Sequence, residues 1–134
     1  MRTGRCQCGG VQFECPDEPL EIYVCHCREC QKQSSSAFGI SYITQWSGLR
    51  VVKGEPAHWT RSTNSGGTLQ CAFCPSCGSR VWHRPDNAGD IVSVKGGALD
   101  EPVDIANATY LWTDRKLPGV CIPDGVKTFA GEPD

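Results

Sequence analysis

The stretch VCHCRECQKQ places Cys25, Cys27 and Cys30 within six residues, too dense for ordinary packing. A tetrahedral metal ion would take three thiolates from it and keep one corner for something else. A second stretch, FCPSCGSR, carries Cys74 and Cys77 with two residues between them and a glycine after the second. Two thiolates at that spacing can grip one ion, Gly78 tolerates the tight backbone that follows, and nearby amides can donate to the sulfurs. A third, RCQCGG, supplies Cys6 and Cys8, again closed by glycine.

The spacing favours a four-thiolate site from Cys6, Cys8, Cys74 and Cys77, pinning the N-terminal region to the middle of the chain. Such a closed site is structural, and by analogy with structural zinc peptides it contributes on the order of 10 kcal/mol to folding. Spacing alone leaves a second partition open, in which Cys27 and Cys30 join Cys74 and Cys77. In the first partition Cys25, Cys27 and Cys30 remain, to hold a second ion with an exchangeable fourth position or to form a structural site with a fourth ligand drawn from Cys71, Cys15, Cys121, His26 or His83. His26 lies between two ligands on an extended segment, so its side chain is expected to point away from the metal. Cys15, Cys71 and Cys121 sit in apolar or strand-like settings, where a free cysteine is a small buried hydrophobe. Three thiolates on Zn2+ leave a formal charge of -1. Such an ion activates water poorly and suits a fourth, soft sulfur ligand, so thiol binding and thiolate activation are the chemistry to expect.

The elements that must position these cysteines read as strands. Fifteen glycines and nine prolines punctuate short apolar runs, the pattern of a β-rich domain. VQFEC (11–15) alternates apolar and polar residues. Further strands are expected at 20–24, running into the cysteine triplet, and at 37–45, 49–54, 57–62, 68–73, 79–84 and 90–96. Trp46-Ser47-Gly48, Gly54-Glu55-Pro56, Asn64-Ser65-Gly66-Gly67 and Pro85-Asp86-Asn87 supply the turns. ECQKQSS lacks glycine and proline and can form a short helical turn after Cys27. The last thirty residues show no clear period beyond one further strand near Val126 to Phe129.

The chain of 134 residues is expected to be one domain, 1–134. Ten cysteines would suggest disulfides in an exported chain, but MRTGRCQCGG has no apolar signal region, so a reducing, cytoplasmic setting and metal chemistry are expected. No apolar run reaches the ~18 residues of a membrane span. A formal net charge of -2 with scattered Lys and Arg disfavours nucleic acid as a partner.

CQCGGVQFEC, VCHCRECQKQ, CAFCPSCGSRVW and VKGGALDEP, in this order, resemble the glutathione-dependent formaldehyde-activating enzyme family, also called the GFA or CENP-V/GFA domain. The matching motifs run from about residue 4 to about 105. The resemblance implies a mainly β, Mss4-like fold built around two zinc ions. It implies Cys6, Cys8, Cys74 and Cys77 as the structural site and Cys25, Cys27 and Cys30 as the three-ligand site where the family's thiol acts. It also implies a carbon-sulfur lyase-type reaction, the condensation of glutathione with formaldehyde to S-hydroxymethylglutathione. A thiol carrier or a non-catalytic two-zinc binding module is the alternative, and a homodimer is compatible with the pattern.

Other residues carry weaker signals. Lys32, Gln33 and Ser34-Ser35-Ser36 could hydrogen-bond a thiol substrate, although a polar turn is the plainer reading. Glu29 reads as a solvated carboxylate, and the four tryptophans as core or rim residues. Three histidines without a partnered serine give no hydrolase triad. The H-x-E signature of zinc deaminases is absent, since Arg28 follows His26 by two.

Overall fold

A computed structural model describes residues 1–63 and 65–133. It is mainly β, with ten strands and one α-helix among the described residues. The strands are β1 (Arg2–Arg5), β2 (Gln12–Cys15), β3 (Glu21–Cys25), β4 (Gly39–Gln45), β5 (Arg50–Lys53), β6 (Ala57–Ser62), β7 (Thr68–Phe73), β8 (Arg80–Pro85), β9 (Ile91–Lys95) and β10 (Thr109–Leu111). The helix α1 (Arg28–Ser34) follows β3. β1, β2 and β5 form a three-stranded antiparallel sheet, and the rest form a seven-stranded sheet in the order β10-β3-β4-β9-β8-β7-β6. The β10–β3 pair alone is parallel.

Each strand expected between residues 11 and 96 is present within one or two residues of its expected bounds, and the helical turn after Cys27 is α1. Two strands escaped the sequence reading. RTGR has no apolar alternation, yet it pairs with β2 as β1. TYL is a three-residue strand, buried at every position, that pairs with β3. The strand expected near Val126 to Phe129 reduces to a single bridge between Thr128 and Tyr110. Asn64, in one expected turn, and Asp134 lie outside the described residues. No helix is long and apolar enough to cross a membrane.

Period-2 alternation gives the large sheet two different faces. Tyr42, Thr44, Val92, Val94, Trp82 and Ala72 are register neighbours on one face. With Val11, Phe13 and Cys15 from the small sheet they form a core from which water is nearly absent. Phe13 meets Trp82 edge-on at 5.7 Å, the arrangement that aromatic quadrupoles favour. The Tyr42 hydroxyl lies 2.7 Å from the Pro16 and the Asp17 carbonyl oxygens, which share its one proton.

The opposite face is polar. Ser41 faces Lys95, and Ser93 faces His83, which in turn faces Cys71. A bulge at Val81 lets Ala72 oppose Trp82 while Phe73 opposes Arg80. Val81 and Trp82 therefore both enter the core, and Arg80 and His83, three residues apart, share the polar face.

Candidate metal centres and the polar face beside them

Cys6 and Cys8 lie in the β1–β2 turn, and Cys74 and Cys77 in the β7–β8 turn. Both turns are closed by backbone bonds, Cys6 N–H to Val11 O at 3.0 Å and Cys74 N–H to Ser79 O at 2.9 Å. The knuckle turns on Gly78, whose φ of 80° is left-handed, a conformation glycine adopts without steric cost. The four sulfurs all lie within 4.8 Å of one another. Cys6 and Cys8 Sγ are 3.6 Å apart, and Cys8 and Cys74 Sγ 3.7 Å. A tetrahedral ion with metal–sulfur bonds of about 2.3 Å, the zinc value, holds its sulfurs about 3.8 Å apart, so this set fits such an ion.

The surroundings favour thiolates. Val11 N–H donates to Cys6 Sγ at 3.2 Å and Gly10 N–H to Cys8 Sγ at 3.4 Å. The Ser79 hydroxyl sits 3.3 Å from Cys77 Sγ while accepting from Gln7 N–H. Hydrogen bonds from the Ser79 hydroxyl and amide hold Cys77 down to about 5. Cys8 receives the Gly10 amide, yet the crowding of Cys6, Cys77 and Cys74 pushes it up to about 11. Sulfurs this close repel one another as thiolates, and a divalent cation between them removes the repulsion. Cys27 and Cys30 do not join Cys74 and Cys77, which closes the second partition.

The triplet is built over one strand end and one helix start. Cys25 ends β3, Cys27 caps α1, and Cys30 lies in the first turn, its N–H donating to Cys27 Sγ at 3.3 Å. Gln31 Nε2 donates to the His26 and Arg115 carbonyls at 2.7 and 3.0 Å, tying the helix to the C-terminal segment. The three sulfurs lie within 4.8 Å of one another, and no fourth Cys, His, Asp or Glu joins them among the described residues. His26 is buried and turned away, stacked on Tyr110 at 5.9 Å with Phe38 edge-on at 5.3 Å. Cys15 and Cys71 are buried apart from the cluster, and Cys121 is exposed on the C-terminal segment. Hydrogen bonds from Cys25 and Cys30 push Cys27 down, and the nearness of Cys27 and Cys30 pushes Cys25 up. One thiol readily becomes a thiolate here, and a cation would be needed to ionise all three. The donor set suits a soft divalent ion with one remaining position.

Two hollows flank α1, one reaching the four-cysteine cluster at Cys6 and Cys77 and the other reaching the triplet at Cys30. A larger one of about 860 Å3 is lined by Gln33, Ser34, Ser35, Ser36, Arg80 and Lys95, among others. A smaller one of about 250 Å3 is lined by Cys30, Lys32, Glu29, Trp59, Arg61 and His83, and shares Gln33 and Arg80 with the first. The polar run after the triplet thus borders open space, and Glu29 is solvated as expected. Trp82 is core, whereas Trp59 is 53% exposed.

Sequence reasoning missed Lys95 and Arg80, and weighed His83 only as a metal ligand. Lys95 is 6% exposed. Its Nζ, Arg80 Nε and His83 Nδ1 are all shielded from water without a hydrogen-bond partner. Burial pushes Lys95 down, partly offset by the Cys30 sulfur. Burial, then the charges of Lys95, Arg80 and Arg61, pushes His83 well below its ordinary value. The one sequence signal was a lysine alternating with buried valines in IVSVK.

Comparison with known proteins bears on most of the chain. A crystal structure of a Rhodobacter sphaeroides protein superposes with a TM-score of 0.62 at 23% identity, covering 81% of this chain and 98% of that one. That likeness establishes the fold. The family model for the glutathione-dependent formaldehyde-activating enzyme matches residues 1–115, across both cysteine clusters and the strands that carry them, and the chain belongs to that family.

Proposed function

We propose that the chain holds two zinc ions and uses the one at Cys25, Cys27 and Cys30 to bind a small thiol such as glutathione. There it promotes or carries the thiol's adduct with an aldehyde such as formaldehyde, a carbon-sulfur lyase-type reaction. The carrying observation is the triplet itself: three converging sulfurs, no fourth protein ligand among the described residues, and Cys30 lining a hollow. The family description supports the substrates. Cys6, Cys8, Cys74 and Cys77 form the structural site in this reading, since all four positions come from the protein.

Bound zinc supplies thiolate character to an incoming thiol at neutral pH. The residues do the rest. Cys25, Cys27 and Cys30 would hold the ion, and the hollow that Cys30 lines gives a thiol its approach. The short helix α1 fixes the Cys27 and Cys30 sulfurs through its cap, and His26, between Cys25 and Cys27, anchors that segment against Tyr110 and Phe38. In the condensation the thiol loses its proton, its sulfur bonds to the aldehyde carbon, and the carbonyl oxygen takes up a proton. Lys95, close to the triplet, offsets the negative charge that a fourth thiolate brings.

Two measurements test the reading: zinc per chain in protein purified without chelator, and thiol–formaldehyde exchange followed by NMR against the uncatalysed rate. Two zinc ions, with faster exchange lost in Cys27→Ser, are expected. Thiol binding without acceleration identifies a carrier. Absence of both binding and acceleration refutes the proposal.

A further inference from the structure

We propose that Lys95, Arg80, Arg61 and His83 form an anion-recognition subsite beside the triplet, which selects substrates carrying a carboxylate. The inference rests on the thiol reading above and names the substrate class for that site.

An unpaired buried ammonium is expensive, because its hydration is lost and nothing replaces it. Lys95 Nζ is in that position, and the shielded Arg80 Nε and His83 Nδ1 lie on the same sheet face without partners. Among the described residues no carboxylate lies within ion-pair distance of Lys95, Arg80 or Arg61. Three cationic groups therefore face a metal site whose formal charge would be -1, more positive charge than that site needs. The acidic groups bordering the hollows, Glu29 and Asp100, are exposed to water.

The arrangement is built. The bulge at Val81 turns Arg80 onto the face of His83, a re-aiming that bulges commonly provide. The Arg80 guanidinium lies over the Trp59 ring at 5.8 Å, within cation–π reach. A planar fork with its Nε free matches a carboxylate, which accepts parallel hydrogen bonds from guanidinium. His83, kept neutral, can donate a further hydrogen bond without adding charge. Arg80 borders both hollows, Cys30 the smaller and Lys95 the larger, so a ligand with sulfur at one end and carboxylate at the other meets matching groups at each.

The test uses the zinc-loaded full chain and three probes of equal backbone: 3-mercaptopropionate, 3-mercapto-1-propanol, and 3-(methylthio)propanoate, whose sulfur is blocked. Affinities come from calorimetry, and contacts from amide chemical shifts. 3-Mercaptopropionate is expected to bind about tenfold or more tighter than the alcohol, a gain that shrinks with salt. Arg80→Gln abolishes the preference while leaving the alcohol's affinity unchanged, and Lys95→Met abolishes the preference while lowering both thiols' affinity to the same level. Lys95→Met removes an unpaired buried charge and should fold at least as well. Equal affinities in the wild type, or a preference surviving in both variants, overturns the subsite. If neither thiol binds, the thiol reading fails, and 3-(methylthio)propanoate decides the subsite alone: shifts at Lys95 and Arg80 lost in Lys95→Met support it, and no shifts refute it.

Discussion

Cys77→Ser and Cys27→Ser each delete one sulfur, and the fold makes their consequences different. Cys77 belongs to a cluster that joins the turn of the small sheet to a turn of the large one, linking sulfurs 66 residues apart. Cys27 belongs to one whose members all lie within six residues, with Cys27 and Cys30 three apart. Closing the longer loop costs about 2.7 kcal/mol more chain entropy, from (3/2)RT ln(66/3). A cross-link there removes correspondingly more freedom from the unfolded chain. Structural zinc contributes 10 kcal/mol or so, comparable with the roughly 5–15 kcal/mol stability of a whole domain. Cys77→Ser should therefore unfold or aggregate. Serine at 27 still caps α1, because its hydroxyl accepts the Cys30 N–H as the sulfur does. Cys27→Ser should thus lose the second zinc and keep a cooperative urea transition within about 2 kcal/mol of wild type. Elemental analysis and urea unfolding of both proteins decide the matter. Equal collapse of the two variants would make the triplet structural and refute the assignment.

Three further outcomes follow from local geometry. A Cβ on Gly39 would lie 2.9 Å from Gln33 Nε2 and 3.3 Å from Cys30 Cβ. Gly39→Ala should displace Cys30 and weaken zinc at the triplet roughly 10-fold or more, read by chelator competition, with the four-cysteine ion retained. Tyr42→Phe removes the one hydroxyl proton that the Pro16 and Asp17 carbonyls share at the edge of the core and should cost about 1 kcal/mol with an unchanged urea m-value. His83 is depressed by burial and by neighbouring cations, so below about pH 6.5 the unfolded chain binds a proton that the folded one refuses. Stability falls as pH drops from there toward the folded value, by at most about 1.4 kcal/mol per pH unit. His83→Gln should show a shallower loss between pH 7 and 5.5, and identical slopes would refute the argument.

Apart from β1, whose RTGR has no apolar alternation, the antiparallel strands were legible because each carries its own signal. VQFEC and DIVSVKG alternate, and glycine and proline mark their ends. β10 was illegible because a short strand buried at every position has no period, and its partner β3 is remote in sequence. The cysteine clusters were visible from spacing, which nevertheless left two partitions open. Only the strand register, which brings the β1–β2 turn to the β7–β8 turn, decides between them. The convergence of Lys95, Arg80 and His83 was invisible for a related reason. It depends on a one-residue bulge and on neighbours across three strands, and nothing local in SRVWHR announces a bulge.

The late arrival of β10 has a consequence for how the protein is made. Synthesis at about 5–20 residues per second separates Cys25 from its partner Leu111 by roughly 4–17 s. During that interval β3 is an open edge, and Cys25, Cys27 and Cys30 are made within about a second of one another. The four-cysteine cluster cannot close until Cys77 is made. The triplet is thus the first site competent to capture metal during translation, and the parallel pairing of β10 seals the β3 edge beside it.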